Sequence, residues 1–315
     1  MKDLRILFMG TPFFAVGILQ KLVENGAHVV GVITAPDKPA GRGRKLHESA
    51  VKQYALSQGL TILQPTNLKN EEFLSELATL KANLQIVVAF RMLPKVVWSM
   101  PEFGTFNLHA SLLPLYRGAA PINWAVINGE EETGATTFFI DEKIDTGAII
   151  ASEKIKLTPN ETAGSLHDKL MELGAELVLK TVGLIEKGKA QPQAQPKAEV
   201  FKEAPKLTSE NTRIDWSLPM EKIDAFIRGL CPYPSAWTQL QNHGAEVKVK
   251  IFECSMERAS HDECYGQLIA TKKELKVAVQ EGYLYIKEMQ LPGKRKMELA
   301  ALLNGYKFDL DAKFV

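Results

Sequence analysis

Leu4-Arg5-Ile6-Leu7-Phe8-Met9-Gly10-Thr11-Pro12-Phe13 is the stretch that decides how the chain starts to fold. The short apolar run from Leu4 to Met9 reads as a strand ending at Gly10, and Phe13 to Asn25 reads as a helix stopped by Gly26. His28 to Thr34 is a second strand. The order then repeats, with a helix near Glu48 to Gln58, a strand at Leu60 to Leu63, a helix near Asn70 to Leu80 and an apolar strand at Leu84 to Phe90. Such alternation predicts a parallel sheet with helices over both faces. Sheets of this kind bind ligands beyond the carboxyl ends of their strands, where the strand order reverses. The loops after Met9, Ile33, Phe90 and Leu108 are therefore where chemistry is to be sought.

Farther along, Gln191-Pro192-Gln193-Ala194-Gln195-Pro196-Lys197 is a polar stretch without apolar periodicity. From about Thr208 the pattern changes to short alternating runs such as Val247-Lys248-Val249-Lys250-Ile251 and Leu275-Lys276-Val277-Ala278-Val279. These runs predict a small β-rich barrel or sandwich. A chain of 315 residues is long enough for two domains, each with its own core. The expected division is 1–189, a connector at 190–207, and 208–315.

Apolar residues make up 45% and charged residues 24%, ordinary globular usage that speaks against a disordered or fibrous chain. No run approaches the roughly 20 apolar residues that span a bilayer, so no membrane anchor is expected. The three cysteines, Cys231, Cys254 and Cys264, are odd in number and form no CxxC pair, which fits thiols in a reducing compartment. A cytoplasmic monomer is the expectation. Cys254, His261 and Cys264 match no standard zinc spacing, and no metal is expected. The net charge of +1 announces no polyanionic partner by itself. Basic residues nonetheless crowd two loops, Lys38, Arg42, Arg44 and Lys45 in one and Lys294, Arg295 and Lys296 in the other.

Gly10-Thr11-Pro12 stands where a dinucleotide-binding fold carries its glycine-rich turn, yet one glycine and a proline do not make that fingerprint, and no phosphate-cradling P-loop motif occurs. The densest polar constellation is Phe106-Asn107-Leu108-His109-Ala110-Ser111-Leu112-Leu113-Pro114-Leu115-Tyr116-Arg117-Gly118. On an extended strand Asn107 and His109 share one face. An amide N–H can donate to a developing oxyanion, and an imidazole can exchange a proton near neutral pH, as acyl transfer to an amine requires. A pair of hydrogen-bonded residues at a strand end would show the same pattern. Asp141 and Asp145, in Ile140-Asp141-Glu142-Lys143-Ile144-Asp145-Thr146-Gly147, are both candidate carboxylates, and both fit plain turn residues.

Asn107-Leu108-His109 followed by Ser111-Leu112-Leu113-Pro114-Leu115-Tyr116-Arg117-Gly118, with Asp145-Thr146-Gly147 beyond, closely resembles the signature of the folate-dependent formyltransferases. The resemblance implies an α/β fold, a Rossmann-like mostly parallel sheet domain followed by a smaller OB-like β-barrel. It implies that Asn107, His109 and Asp145 form the catalytic set, choosing Asp145 over Asp141. It implies a folate site lined by Ser111, Leu112, Leu113 and Pro114, with the apolar run Val88-Ala89-Phe90 as the wall for the pteridine ring.

Similarity to the branch of the family that acts on initiator tRNA extends over nearly the whole chain. It includes Gly10-Thr11-Pro12, Pro39-Ala40-Gly41-Arg42-Gly43-Arg44-Lys45-Leu46, Arg117-Gly118-Ala119-Ala120-Pro121-Ile122, Lys206-Leu207 and Arg213-Ile214-Asp215-Trp216. The expected reaction is formyl transfer from 10-formyltetrahydrofolate, a co-substrate, to the α-amino group of methionyl initiator tRNA, which serves translation initiation. The expected tRNA contacts are Arg42, Arg44 and Lys45, with Arg42 at the position that senses the unpaired first base pair. Glycines flanking Arg42 let such a loop reorder, and arginine can meet phosphate or stack on a base. Phe13, Phe90-Arg91-Met92-Leu93-Pro94 and Leu115 depart from the family pattern. The rivals are a sugar-nucleotide N-formyltransferase, whose acceptor loop lacks the Gly-Arg-Gly-Arg-Lys run, a glycinamide formyltransferase, which resembles only the first domain, and a noncatalytic RNA-binding protein.

Overall fold

The structure, a computed structural model, describes residues 2–40, 45–196 and 202–315, without the side chains of Ala40 and Lys45. In chain order the elements through residue 186 are β1 (Ile6–Gly10), α1 (Phe13–Glu24), β2 (Val29–Ile33), β3 (Lys38–Ala40), β4 (Lys45–His47), α2 (Ala50–Ser57), β5 (Ile62–Leu63), α3 (Glu71–Thr79), β6 (Leu84–Val88), α4 (Lys95–Trp98), β7 (Thr105–His109), β8 (Arg117–Gly118), α5 (Pro121–Ile127), β9 (Glu132–Phe139), β10 (Ile149–Lys156) and α6 (Ala163–Glu186). Then come β11 (Glu203–Ala204), α7 (Met220–Leu230), β12 (Ala236–Asn242), β13 (Ala245–Arg258), β14 (Leu268–Ala270), β15 (Leu275–Val279), β16 (Gly282–Gln290), β17 (Met297–Glu298), α8 (Leu299–Leu303) and β18 (Lys313–Phe314). Two compact units result. One comprises Met1–Gly118, Glu132–Ile155 and His167–Glu203, the other Ala119–Glu131, Lys156–Leu166 and Ala204–Val315.

The first unit holds a seven-stranded sheet in the order β10-β9-β7-β6-β1-β2-β5. Strands β5, β2, β1, β6 and β7 run parallel, and β9 pairs antiparallel with β7. Every residue of β1 and β6 is buried, as central parallel strands covered on both faces require. The one polar residue in that stretch of β6, Gln85, accepts the Thr105 hydroxyl at 2.9 Å, which spares it an unmet hydrogen bond. From β1 the chain moves outward to β2 and β5, then returns to the other side of β1 for β6 and β7. The reversal puts the switch point between β1 and β6. Gly10 lies opposite Val88 and Val88 opposite Leu108, so the ends of β1, β6 and β7 open onto one edge.

Local chemistry explains the helices beside this edge. α1 buries Phe14, Ala15, Ile18, Leu19 and Leu22, one face at helical spacing, and Gly26 takes the left-handed φ of +73° that stops it. The side chain of Ser49 caps α2 through Lys52 N, and that of Asn70 caps α3 through Phe73 N, each worth about 1 kcal/mol. Gly10 lets α1 approach β1, because a Cβ there would lie 2.6 Å from the Ala15 Cβ. Leu7, Met9, Ile33, Leu63, Phe73, Leu77 and Val87 form the core under one face of the sheet.

The second unit is built on an antiparallel sheet in the order β14-β15-β16-β13-β12-β18, with β17 beside β16. Its two ends meet: Phe314 N donates to Gly266 O and Leu268 N to Ala312 O, so β18 lies against the start of β14 and nearly closes a barrel. In β12, Ala236, Thr238, Leu240 and Asn242 are buried while the residues between them are not, the period of two that one-sided burial imposes. Trp216 stacks on Phe314 with ring centroids 5.1 Å apart and donates to the Thr238 hydroxyl at 3.0 Å. The barrel core takes in Ile223, Ile227 and Leu230 from α7 and Ile127 from α5. This is the small β-rich barrel that the alternating runs predict.

Candidate active site

His109 ends β7, and its side chain is only 7% exposed. Its Nε2 lies 2.8 Å from the carbonyl oxygen of Tyr116. A carbonyl can only accept, so Nε2 carries the hydrogen, and in the neutral ring Nδ1 holds the lone pair. Nδ1 faces Asp145 Oδ2 at 3.8 Å, beyond hydrogen-bond length. Asp145 comes from the turn between β9 and β10, at a left-handed φ of +54°. Its Oδ2 accepts the Gly118 N–H at 3.0 Å. Asn107 lies two residues before His109 on the same strand and is half-buried.

Asp141 serves a different purpose. It is exposed, and its Oδ1 accepts the Lys143 N–H at 3.0 Å and the Thr146 hydroxyl at 2.8 Å, holding the turn together. Gly147 is packed so tightly that a Cβ there would lie 1.6 Å from the Phe139 carbonyl oxygen. The Asp-Thr-Gly turn is thus locked from below.

Of the residues expected at a folate site, Ser111 and Leu113 are buried, Leu112 and Pro114 half-buried, and Leu113-Pro114 is a cis peptide. The Ser111 hydroxyl donates to Leu115 O at 2.7 Å, so it shapes the loop rather than pointing outward. Val88 ends β6 fully buried, Ala89 takes a left-handed φ of +47° and is exposed, and Phe90 is half-buried. Arg91 fastens this segment by donating to Thr66 O at 2.9 Å and to Pro65 O.

Arg42 and Arg44 lie outside the described residues, and so does the side chain of Lys45. The hairpin of β3 and β4 that flanks them pairs Lys38 with His47 and Ala40 with Lys45. Asp37 anchors its base: the Lys52 ammonium and the Gln64 amide both bond its carboxylate, holding the carboxyl below its ordinary value. On the barrel, Lys248 Nζ sits 3.7 Å from the centre of the Trp237 ring, whereas Lys296 is paired with Glu288 at 2.6 Å. Among the described residues no group of three or more His, Cys, Asp or Glu could hold a metal ion, and no helix is long and apolar enough to cross a membrane.

Three participants carry no sequence signal of their own. The Tyr116 carbonyl and the Gly118 amide are backbone groups, and Gln195 sits in the polar stretch read as a connector. Gln195 Nε2 donates to the carbonyl oxygens of Asp145 and Gly147, both at 2.9 Å, and its Oε1 accepts from Arg117 Nη2 at 2.6 Å. Only the run of glutamines around it marked the segment as polar.

Residues 4–182 match the formyl transferase family model, and residues 206–307 match that of the formyl transferase C-terminal domain. A protein of Flavobacterium johnsoniae named methionyl-tRNA formyltransferase is 57% identical over 99% of both chains. One of the same name from Bacteroides thetaiotaomicron is 53% identical over 97% of both. The crystal structure of HypX from Aquifex aeolicus in complex with tetrahydrofolic acid shares the fold, with a TM-score of 0.64 at 20% identity over 96% of this chain and 47% of that one. A match that runs through both the sheet unit and the barrel leaves one conclusion: the chain belongs to the formyltransferase family.

Proposed function

We propose that this chain transfers the formyl group of 10-formyltetrahydrofolate to the α-amino group of methionyl initiator tRNA. The observation that carries the reading is the identity above one half, along nearly the full length, to relatives named methionyl-tRNA formyltransferase. Residues 1–189 would carry the transfer and 208–315 would contact tRNA, joined by 190–207. The protein would work as a cytoplasmic monomer.

In the reaction the amine nitrogen attacks the formyl carbon, a tetrahedral intermediate forms with charge on oxygen, and the bond to the folate nitrogen breaks as that nitrogen takes a proton. Asn107 is the donor to the oxyanion. His109 Nδ1 and Asp145 Oδ2, 3.8 Å apart, can share one partner. A nitrogen about 2.8 Å from each would make its two hydrogen bonds close to a right angle, which an amine with two N–H groups can do. That placement orients the amine, takes its proton as the new bond forms, and lets His109 return a proton to the leaving nitrogen. Ser111, Leu112, Leu113, Pro114, Val88, Ala89 and Phe90 border the folate, and Arg42, Arg44 and Lys45 meet the tRNA acceptor end. No metal is needed, since the folate brings its one-carbon unit already activated.

The test is transfer of labelled formyl from 10-formyltetrahydrofolate to methionyl initiator tRNA, beside methionyl elongator tRNA, an amino-sugar nucleotide and an Arg42→Ala variant. Transfer to the initiator alone, lost with Arg42, supports the reading. Transfer to the sugar nucleotide instead would replace it with the sugar N-formyltransferase rival, and tRNA binding without folate binding would favour a noncatalytic RNA-binding protein.

A further inference from the structure

Asp145 adopts a left-handed backbone, φ +54°, a conformation unfavourable for a residue with a Cβ that persists where the surroundings hold it. Gln195, fifty residues away in sequence, is bonded to this turn. Its Nε2 bonds the carbonyl oxygens of Asp145 and Gly147, and its Oε1 takes the Arg117 guanidinium. The amide orientation follows from its partners, because carbonyls only accept and a guanidinium only donates. Gln193 exchanges two backbone hydrogen bonds with Ile149, both at 2.8 Å, so the stretch that carries Gln195 is tied to the start of β10. The loop of contacts closes on itself: Arg117 precedes Gly118, and the Gly118 N–H holds the Asp145 carboxylate.

We infer that Gln195 is a positioning residue for formyl transfer, holding the Asp145 turn so that the carboxylate faces His109 Nδ1. The inference rests on the reading of Asp145 and His109 as members of the reacting set. Gln195 touches neither His109 nor the folate wall among the described contacts, so its effect passes through Asp145.

Four full-length variants test it: Gln195→Met, Gln195→Glu, Asp145→Asn and the double Gln195→Met/Asp145→Asn. An ionised Glu at 195 still accepts from Arg117 but cannot donate to the two carbonyls, so it separates the clamp from the ion contact. Both Gln195 variants, shown folded by circular dichroism and melting, should lose about 10- to 100-fold in kcat with KM for folate and tRNA nearly unchanged, the signature of a misplaced reacting group. The double variant should be no slower than Asp145→Asn, because the two residues act as one unit. Unchanged kcat in folded Gln195→Glu, or losses that multiply in the double variant, would overturn the inference while leaving Asp145 in its role. Full activity of Asp145→Asn would remove the reading beneath it, an outcome that the single Asp145 variant alone reveals.

Discussion

The Nε2–H of His109 donates to the carbonyl oxygen of Tyr116, and this bond, not the carboxylate of Asp145, sets the tautomer of the ring. A familiar arrangement would have the carboxylate accept an imidazole N–H directly. Here Asp145 stands 3.8 Å from the bare Nδ1, beyond hydrogen-bond length. The neutral ring should therefore show the Nε2–H tautomer in nitrogen NMR of the free protein. His109→Ala should lower kcat by roughly 10²- to 10⁴-fold while tRNA affinity stays nearly constant. Undiminished single-turnover transfer by that variant would remove His109 from the reaction.

With Asn107 in its proposed role as donor to the oxyanion, Asn107→Ala should cost about 10²- to 10³-fold in kcat, with little change in KM. Steady-state kinetics at saturating folate separate the two parameters. A loss seen mainly in KM would make Asn107 a binding residue instead.

Gly147→Ala should destabilise the first unit by about 3 kcal/mol or more, since its Cβ would collide with the Phe139 carbonyl. Activity should fall with it, because the Asp145 turn is the part that must move. Urea titration of the variant against the native chain gives the difference, and an unchanged midpoint would show that the turn yields cheaply.

Asp37 gives a pH dependence whose sign is fixed. Its carboxyl is held below its ordinary value first by the Lys52 ammonium and then by the Gln64 amide. The stability this contributes is fully present above the unfolded value near 4 and disappears as pH falls through the lower folded value. Melting of the native chain and of Asp37→Asn should differ at pH 7, and the gap should begin to narrow as pH falls below about 4. A gap that stays constant down to the lowest pH at which the chain is folded would mean the ion pair is not its source.

The three thiols should react in a definite order. Burial, with the Asp224 carboxylate beside it, pushes the Cys254 thiol well up, and burial pushes Cys231 up as well, while Cys264 is exposed. Maleimide at pH 8 should modify Cys264 first and Cys254 last, since the thiolate is the reacting form. Mass spectrometry of timed digests reads the order directly.

Apolar period and end signals made β1, α1, β2 and the alternation through β6 legible in the sequence, because a central strand must be apolar throughout and a helix must show one apolar face. Alternation also made the barrel legible as a class, and the Asn107-Leu108-His109 face followed from strand geometry alone. Other features depend on groups far apart in the chain. β9 and β10, at the antiparallel edge, carry no helix between them to announce a strand pair. The second unit borrows Ala119–Glu131 and Lys156–Leu166 from the middle of the chain, which no composition change marks. The choice between Asp141 and Asp145 needed the family resemblance, and in the fold one holds its own turn while the other faces His109. Side-chain pattern and turn chemistry are local, so the alternating elements through β6, the class of the barrel and the pair of polar residues on β7 could be read without the fold. The Tyr116 carbonyl, the Gly118 amide and the Gln195 clamp were decided only by tertiary structure, because a backbone group has no identity in sequence and a lone glutamine acquires its partners only when the sheet brings them within hydrogen-bond reach.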